Sequence, residues 1–167
     1  MAFMMKAILV SVLMAAFVAA PALQKNAGEP SRADQEDNLR EAVFHYQFKS
    51  FELLVAYHFI SVNGKNPSAA MLQRFHGEQP PVLPVSEAEK LKKPMKLIQN
   101  RNDYKQGVLF NQGQIKWISD TKADVDGSFE CGDICDEAAG VYHASRQDNK
   151  WVVDSFDVTP AAGKSKK

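Results

Sequence analysis

The stretch "KADVDGSFEC", residues 122–131, alternates without a break, with Ala123, Val125, Gly127, Phe129 and Cys131 on one side and Lys122, Asp124, Asp126, Ser128 and Glu130 on the other. Period two sustained over this length predicts a strand with one dry and one wet face. The flanking sequence repeats the signal. "GQIKWIS" (113–119) precedes it, and "GVYHASR" (140–146) and "KWVVDSFDV" (150–158) flank "QDN", which is hairpin spacing. Strands at 114–118, 122–131, 140–146 and 150–158 make a four-strand antiparallel meander, and its dry face requires a helix or two as cover.

A helix is available upstream. In "SRADQEDNLREAVFHYQF" (31–48), Ser31 stands three residues before Asp34, a capping-box arrangement, and acids crowd the first half, where the helix dipole favours them. Leu39, Ala42, Val43 and Tyr46 recur at helical spacing and predict one buried stripe. The apolar "LLVAYHFISV" (53–62) reads as a strand covered on both faces and closed by an Asn63-Gly64 turn. Asn66 with Pro67 at the first helical position then predicts a short helix over "SAAMLQRF". The proline-rich "GEQPPVLPVS" (77–86) reads as an extended connector. Ser86 and Glu89 suggest another brief helix ended by Pro94, and 95–106 is open between helix and loop. The fold class expected is α+β: an N-terminal helix packed on a curved antiparallel sheet that ends in the C-terminal four-strand meander.

The chain begins with Lys6 followed by an uncharged apolar run, Ala7 to Ala20, too short to span a bilayer comfortably, and then by Ala20-Pro21-Ala22. This predicts a secretory signal peptide over 1–22, cleaved after Ala22, an uncleaved anchor being the alternative. It places the protein in a periplasm or outside the cell. Residues 23–158 then form a single α+β domain, and the basic "GKSKK" ending predicts a disordered solubilising tail over 159–167. Twenty basic residues balance twenty acidic ones. A chain without a basic footprint is not expected to bind nucleic acid, nor a membrane once the signal is removed.

Cys131 and Cys135 are the two cysteines, in "FECGDICDEAAGVYH" (129–143). A structural zinc site needs four ligands, and the loop offers two thiols, with His143 and Asp133 or Asp136 as distant candidates. Redox catalysis is disfavoured by the spacing and by Glu130, Asp133, Asp136 and Glu137, which raise a thiolate's pKa. In an oxidising compartment the expectation is a Cys131–Cys135 disulfide stapling the loop, with Gly132 supplying the bend.

Other chemistry is thin. His58 and His143 lie within predicted strands, and together with Asp154 they would make a general base with an orienting carboxylate if all three entered one cavity. Otherwise His58 is a packed histidine, and His45 and His76 are surface residues. Asp120, Asp124 and Asp126, with Asp133 and Asp136, are read as a solvated face because no calcium loop surrounds "DVDG". Trp117, Trp151 and Phe156 are spaced as core residues. No phosphate loop, G-x-S-x-G or H-E-x-x-H is present, so no cofactor and no metal is expected.

The order "REAVFHYQF", "FISV", "NPS", "PPVLPVS", "GVLF", "IKWISDTKADVDG" and a final "KWVV", spanning residues 39–153, resembles a family of small secreted bacterial proteins without an assigned function. The resemblance implies a shared fold and export, with no catalytic residues to carry over, and the cysteine pair departs from its pattern. By element order alone the architecture also resembles NTF2-like and cystatin-like folds. The expectation is an exported, non-enzymatic module, monomer or homodimer, that binds an unknown small ligand or protein on the concave sheet face. The alternative is an NTF2-like lyase, isomerase or hydrolase with a His/Asp pocket.

Overall fold

A computed structural model of the chain describes residues 30–50 and 54–159. The expectations for the signal segment 1–22 and for the tail beyond Thr159 fall outside the described residues. The fold is mixed α+β with a mostly antiparallel sheet.

Helix α1 runs Arg32–Ser50. Its first turn is closed reciprocally, as the capping box requires: Asp34 N donates to Ser31 Oγ (3.2 Å) and Ser31 N donates to the Asp34 carboxylate (3.2 Å). The helix buries Leu39, Arg40, Val43, Phe44 and Gln47, a wider face than the expected stripe, with Ala42 and Tyr46 half-buried beside it. The extra width has a cause. Leu39 and Val43 sit on one core cluster with Ala123, Val125, Tyr142 and Trp151, whereas Phe44 points into a second with Ile60, Val108 and Phe110.

Six strands form the main sheet in the order β2-β1-β5-β6-β7-β8. β1 (Tyr57–Val62) lies parallel to β2 (Val82–Pro84) and to β5 (Gly107–Ser119). β5, β6 (Lys122–Glu130), β7 (Ala138–Gln147) and β8 (Lys150–Val158) are the antiparallel meander, and its first strand starts earlier than the sequence suggests. Ala123, Val125 and Gly127 are buried as alternation demands, and Asp126 opposite them is exposed. β1 is covered on both faces. Ile60 faces the helices, while Phe59 joins Leu109, Ala88 and Ile98 on the other side.

Three local expectations are corrected. The short helix α2 (Ala69–Gln73) is capped by Ser68, whose hydroxyl accepts from Met71 N, and Asn66 instead hydrogen-bonds Ser86. The proline-rich connector contributes β2, a strand at the sheet edge, where a proline's missing donor is tolerated. No helix forms between Ser86 and Pro94. Val85–Glu87 is one 3-10 turn, followed by β3 (Ala88–Leu91) paired with β4 (Leu97–Asn100) in a two-stranded sheet, and this also resolves the ambiguous 95–106 segment. The small sheet forms because Ala88 and Ile98 have Phe59 and Leu109 to cover.

Cys131 and Cys135 are joined as a disulfide, with Cα atoms 5.8 Å apart. Gly132 carries the bend at φ +68°, and a Cβ there would collide with the Lys96 backbone. Its N–H donates to Glu137, and Asp133 accepts from Lys96 N, so two of the loop's acids have structural partners.

Candidate binding pocket under the helix

Between the last turns of α1 and the far ends of β6, β7 and β8 lies a cavity of about 290 Å³, lined by Tyr46, Gln47, Ser50, Phe129, Ala138, Tyr142, Phe156 and Val158. Its walls are mostly apolar. Tyr142 stacks on Phe156 (centroids 4.2 Å apart) and meets Tyr46 edge-on (5.9 Å). Among the described residues, no ionisable acid or base other than the two tyrosines lines it.

Its polar centre is Gln47 and Tyr142, each only 2% exposed. The Gln47 Nε2 donates to the Tyr142 hydroxyl (3.2 Å) and, at longer range, to the Ser128 carbonyl (3.4 Å). A carbonyl can only accept, which orients the amide with its nitrogen toward Ser128. The Gln47 Oε1 is then left without a partner among the described residues. Burial pushes the Tyr142 hydroxyl up to about 12, with the Gln47 hydrogen bond opposing the shift. The phenol therefore keeps its proton at neutral pH. The Gln47 oxygen is thus a buried acceptor without a partner among the described residues, closed off from solvent beside the pocket. Buried polar groups are ordinarily satisfied, so each such exception calls for an explanation.

The three residues considered from sequence as a catalytic set do not meet. His58, on β1, faces the helices and is 5% exposed, stacked on Phe48 (4.6 Å) and edge-on to Phe110 (5.3 Å). Its Nδ1 has no partner among the described residues, and desolvation by burial lowers its pKa to about 4, so it is neutral. His143 follows Tyr142 on β7 and so points to the opposite, wet face, where Nδ1 bonds Asp124 (2.7 Å) and Nε2 bonds Asp157 (3.2 Å). The Asp124 hydrogen bond, with help from Asp157, holds the imidazole above its ordinary pKa. Asp154 accepts from Ser145 (3.0 Å), away from either histidine's hydrogen bonds. Strand parity is the physical reason: His58 and His143 lie on opposite faces of one sheet, so these two and Asp154 do not share one cavity, and His58 instead lines a second cavity of about 1030 Å³ with Glu41, His45 and Glu78. The distant metal candidates also separate, because His143 is engaged by Asp124 and Asp157 while Asp133 binds Lys96. Asp124 is thereby a partner of His143, and Asp126 remains a solvated strand residue.

His45 is half-buried over Phe48 and Phe75, within 3.9 Å of Glu41 and 3.6 Å of Glu78. His76 is exposed. Trp151 is buried, with Trp117 and Phe156 half-buried against the core as their spacing suggests.

Gln47 was not among the sequence candidates, although a signal existed. It stands eight residues after Leu39 and four after Val43, a polar side chain on the helix's apolar stripe. Tyr142 carries no such mark, because a tyrosine on a dry strand face looks like ordinary core.

The chain matches no family model, no curated protein and no solved structure.

Proposed function

We propose that the chain is an exported, non-catalytic domain that binds a small ligand in the pocket between α1 and the meander. One observation carries this reading: a cavity of about 290 Å³ walled mostly by aromatic and aliphatic side chains opens between the last turns of α1 and the sheet, with the Gln47–Tyr142 hydrogen bond at its edge. Ligand sites are concave and mostly apolar, with few polar groups that fix orientation, and a volume near 290 Å³ belongs to their small end. The ligand enters between helix and sheet, so the binding face is the end of the dry sheet face that α1 leaves uncovered.

Export is supported by the charged and apolar order of residues 6–22 and by the disulfide, which persists in oxidising compartments. Among the described residues no helix is long and apolar enough to cross a membrane. The likeness of a helix over a curved meander to NTF2-like and cystatin-like architectures is consistent with a pocket at this place and adds no activity.

The test is the native mass of the full chain after expression in a bacterium with an export pathway. The expected species is recovered from the periplasm, starts at Leu23, is two hydrogens lighter than its reduced form, and carries a small-molecule excess that is released on denaturation. An Ala138→Trp variant, which fills the pocket, loses that excess. A full-length chain retained in the cytoplasm overturns the export reading. A periplasmic chain with identical native and denatured masses, whose Ala138 methyl does not respond to toluene in solution NMR, overturns the pocket.

A further inference from the structure

The turn that ends β1 holds a reactive pair outside the pocket, Asn63-Gly64, the single Asn-Gly dipeptide of the chain. We propose that Asn63 is a site of spontaneous deamidation and that the Asn111 side chain holds the reaction in check.

The chemistry lies within the dipeptide. The backbone nitrogen of Gly64, having given its proton to water, attacks the side-chain carbonyl carbon of Asn63. The new N–C bond closes a cyclic succinimide as the C–NH2 bond breaks, and that nitrogen leaves as ammonia with a proton taken from water. Water then opens either carbonyl of the ring, giving aspartate, or isoaspartate with the main chain routed through the side-chain carbon. Glycine permits the attack because it has no Cβ to crowd the approach.

The fold places this pair at the surface and then restrains it. Asn63 and Gly64 are exposed, with φ of +52° and +72°, both positive as a type I′ turn requires. Val62 and Lys65 close the turn by exchanging backbone hydrogen bonds (2.9 and 3.0 Å). A left-handed backbone favours asparagine and glycine, so the residues that make the turn also make the labile pair. The attacking nitrogen, however, is engaged. Gly64 N donates to Asn111 Oδ1 (3.2 Å), and the same oxygen accepts from Ser61 Oγ (2.6 Å). Two donors on one atom identify it as the amide oxygen. Asn111 stands on β5 directly opposite Ser61 of β1, which is only 2% exposed, so the acceptor is mounted on the sheet and does not move with the turn. Removing the Gly64 proton therefore breaks a hydrogen bond anchored in the sheet.

The test incubates the folded full chain at mildly alkaline pH, digests samples with trypsin, and weighs the peptide 50–65 for the mass gained when NH2 becomes OH. Asn63 is the only amide side chain in that peptide. The guanidinium-unfolded parent is expected to react at least about tenfold faster than the folded parent, as the loss of one hydrogen bond on the attacking nitrogen implies. Folded Asn111→Leu should approach the unfolded rate, whereas Asn111→Asp, which keeps an acceptor for both donors, should stay at the parent rate. Native-state hydrogen exchange of the Gly64 amide in the parent needs no variant to fold, and that amide should exchange more slowly than an unhindered turn amide. A folded parent that deamidates as fast as the unfolded chain overturns the restraint. So does a folded Asn111→Leu that does not outpace the parent, or a Gly64 amide that exchanges at the unprotected rate. An unfolded chain that keeps Asn63 intact removes the site itself.

Discussion

Gly127 is the residue on which the pocket's polar centre depends without touching a ligand. It lies on the dry face of β6, directly beneath the Tyr142 ring, and a Cβ there would collide with that ring's edge. Replacing it by alanine must push Tyr142 out of its stack with Phe156 or lift the strand. Gly127→Ala is therefore expected to cost about 1–3 kcal/mol, as overpacking does, and to weaken the Gln47–Tyr142 contact; urea unfolding with an unchanged m-value measures the first. Gln47 makes the opposite case. Its Oε1 is buried without a partner, so Gln47→Met trades an unsatisfied amide for an apolar side chain of similar length. The variant is expected to be as stable as the parent or more so, by up to about 1 kcal/mol, as urea unfolding measures. A variant destabilised by several kcal/mol would mean that the amide holds the structure together and that the idle oxygen is incidental.

At the scale of elements, legibility followed the strength of local pattern. Helix α1 and the strands β6, β7 and β8 could be read because each repeats one period long enough to exceed its alternatives, and the Ser31–Asp34 cap marks a helix start on its own. The short strands could not. β2 holds Pro84 and follows Pro80 and Pro81, which locally favour extended chain without pairing, and only the exposed edge of β1 makes it a strand. β3 begins beside Ser86 and Glu89, a spacing that imitates a helix cap, and its strand form comes from the apolar face of Phe59 and Leu109 waiting to be covered. The candidate site was half legible: the polar residue on the α1 stripe was in plain view, whereas the cavity beside it exists only once the helix is docked on the sheet. Two element-level outcomes are expected. Ser31→Ala removes a reciprocal cap and should lower stability by about 1 kcal/mol in thermal unfolding, with little effect on probe binding. Replacing both Cys131 and Cys135 by alanine opens the β6–β7 loop and should cost about 2 kcal/mol by the chain-entropy estimate, plus a packing loss because Cys131 is fully buried against Phe44 and Phe110; reduction of the parent protein should reproduce the first part alone.

For the whole molecule, the two faces of the sheet impose opposite pH dependences through one histidine each. His58, on the buried face, has a pKa lowered from 6.5 to about 4 by desolvation, so between these values the unfolded chain binds a proton that the folded chain refuses. Its neutral burial therefore favours folding above pH 6.5, and that advantage drains away as pH falls toward 4, by up to about 3 kcal/mol. His143, on the wet face, is raised by Asp124 and then Asp157, so its contribution is complete below pH 6.5 and is lost as pH rises through the folded value. Being partly exposed and screened by solvent, it supplies the smaller slope. Together they place the stability maximum close to the ordinary histidine pKa, with a steep acid side and a shallow alkaline side. Urea unfolding from pH 4 to pH 9 checks this. His58→Phe, whose ring can take the same place between Phe48 and Phe110, should flatten the acid side above the carboxylate range. His143→Gln should flatten the alkaline side and leave the acid side unchanged. If instead each variant altered both limbs, the two histidines would be coupled through the sheet and their placement on opposite faces would not be what separates their titrations.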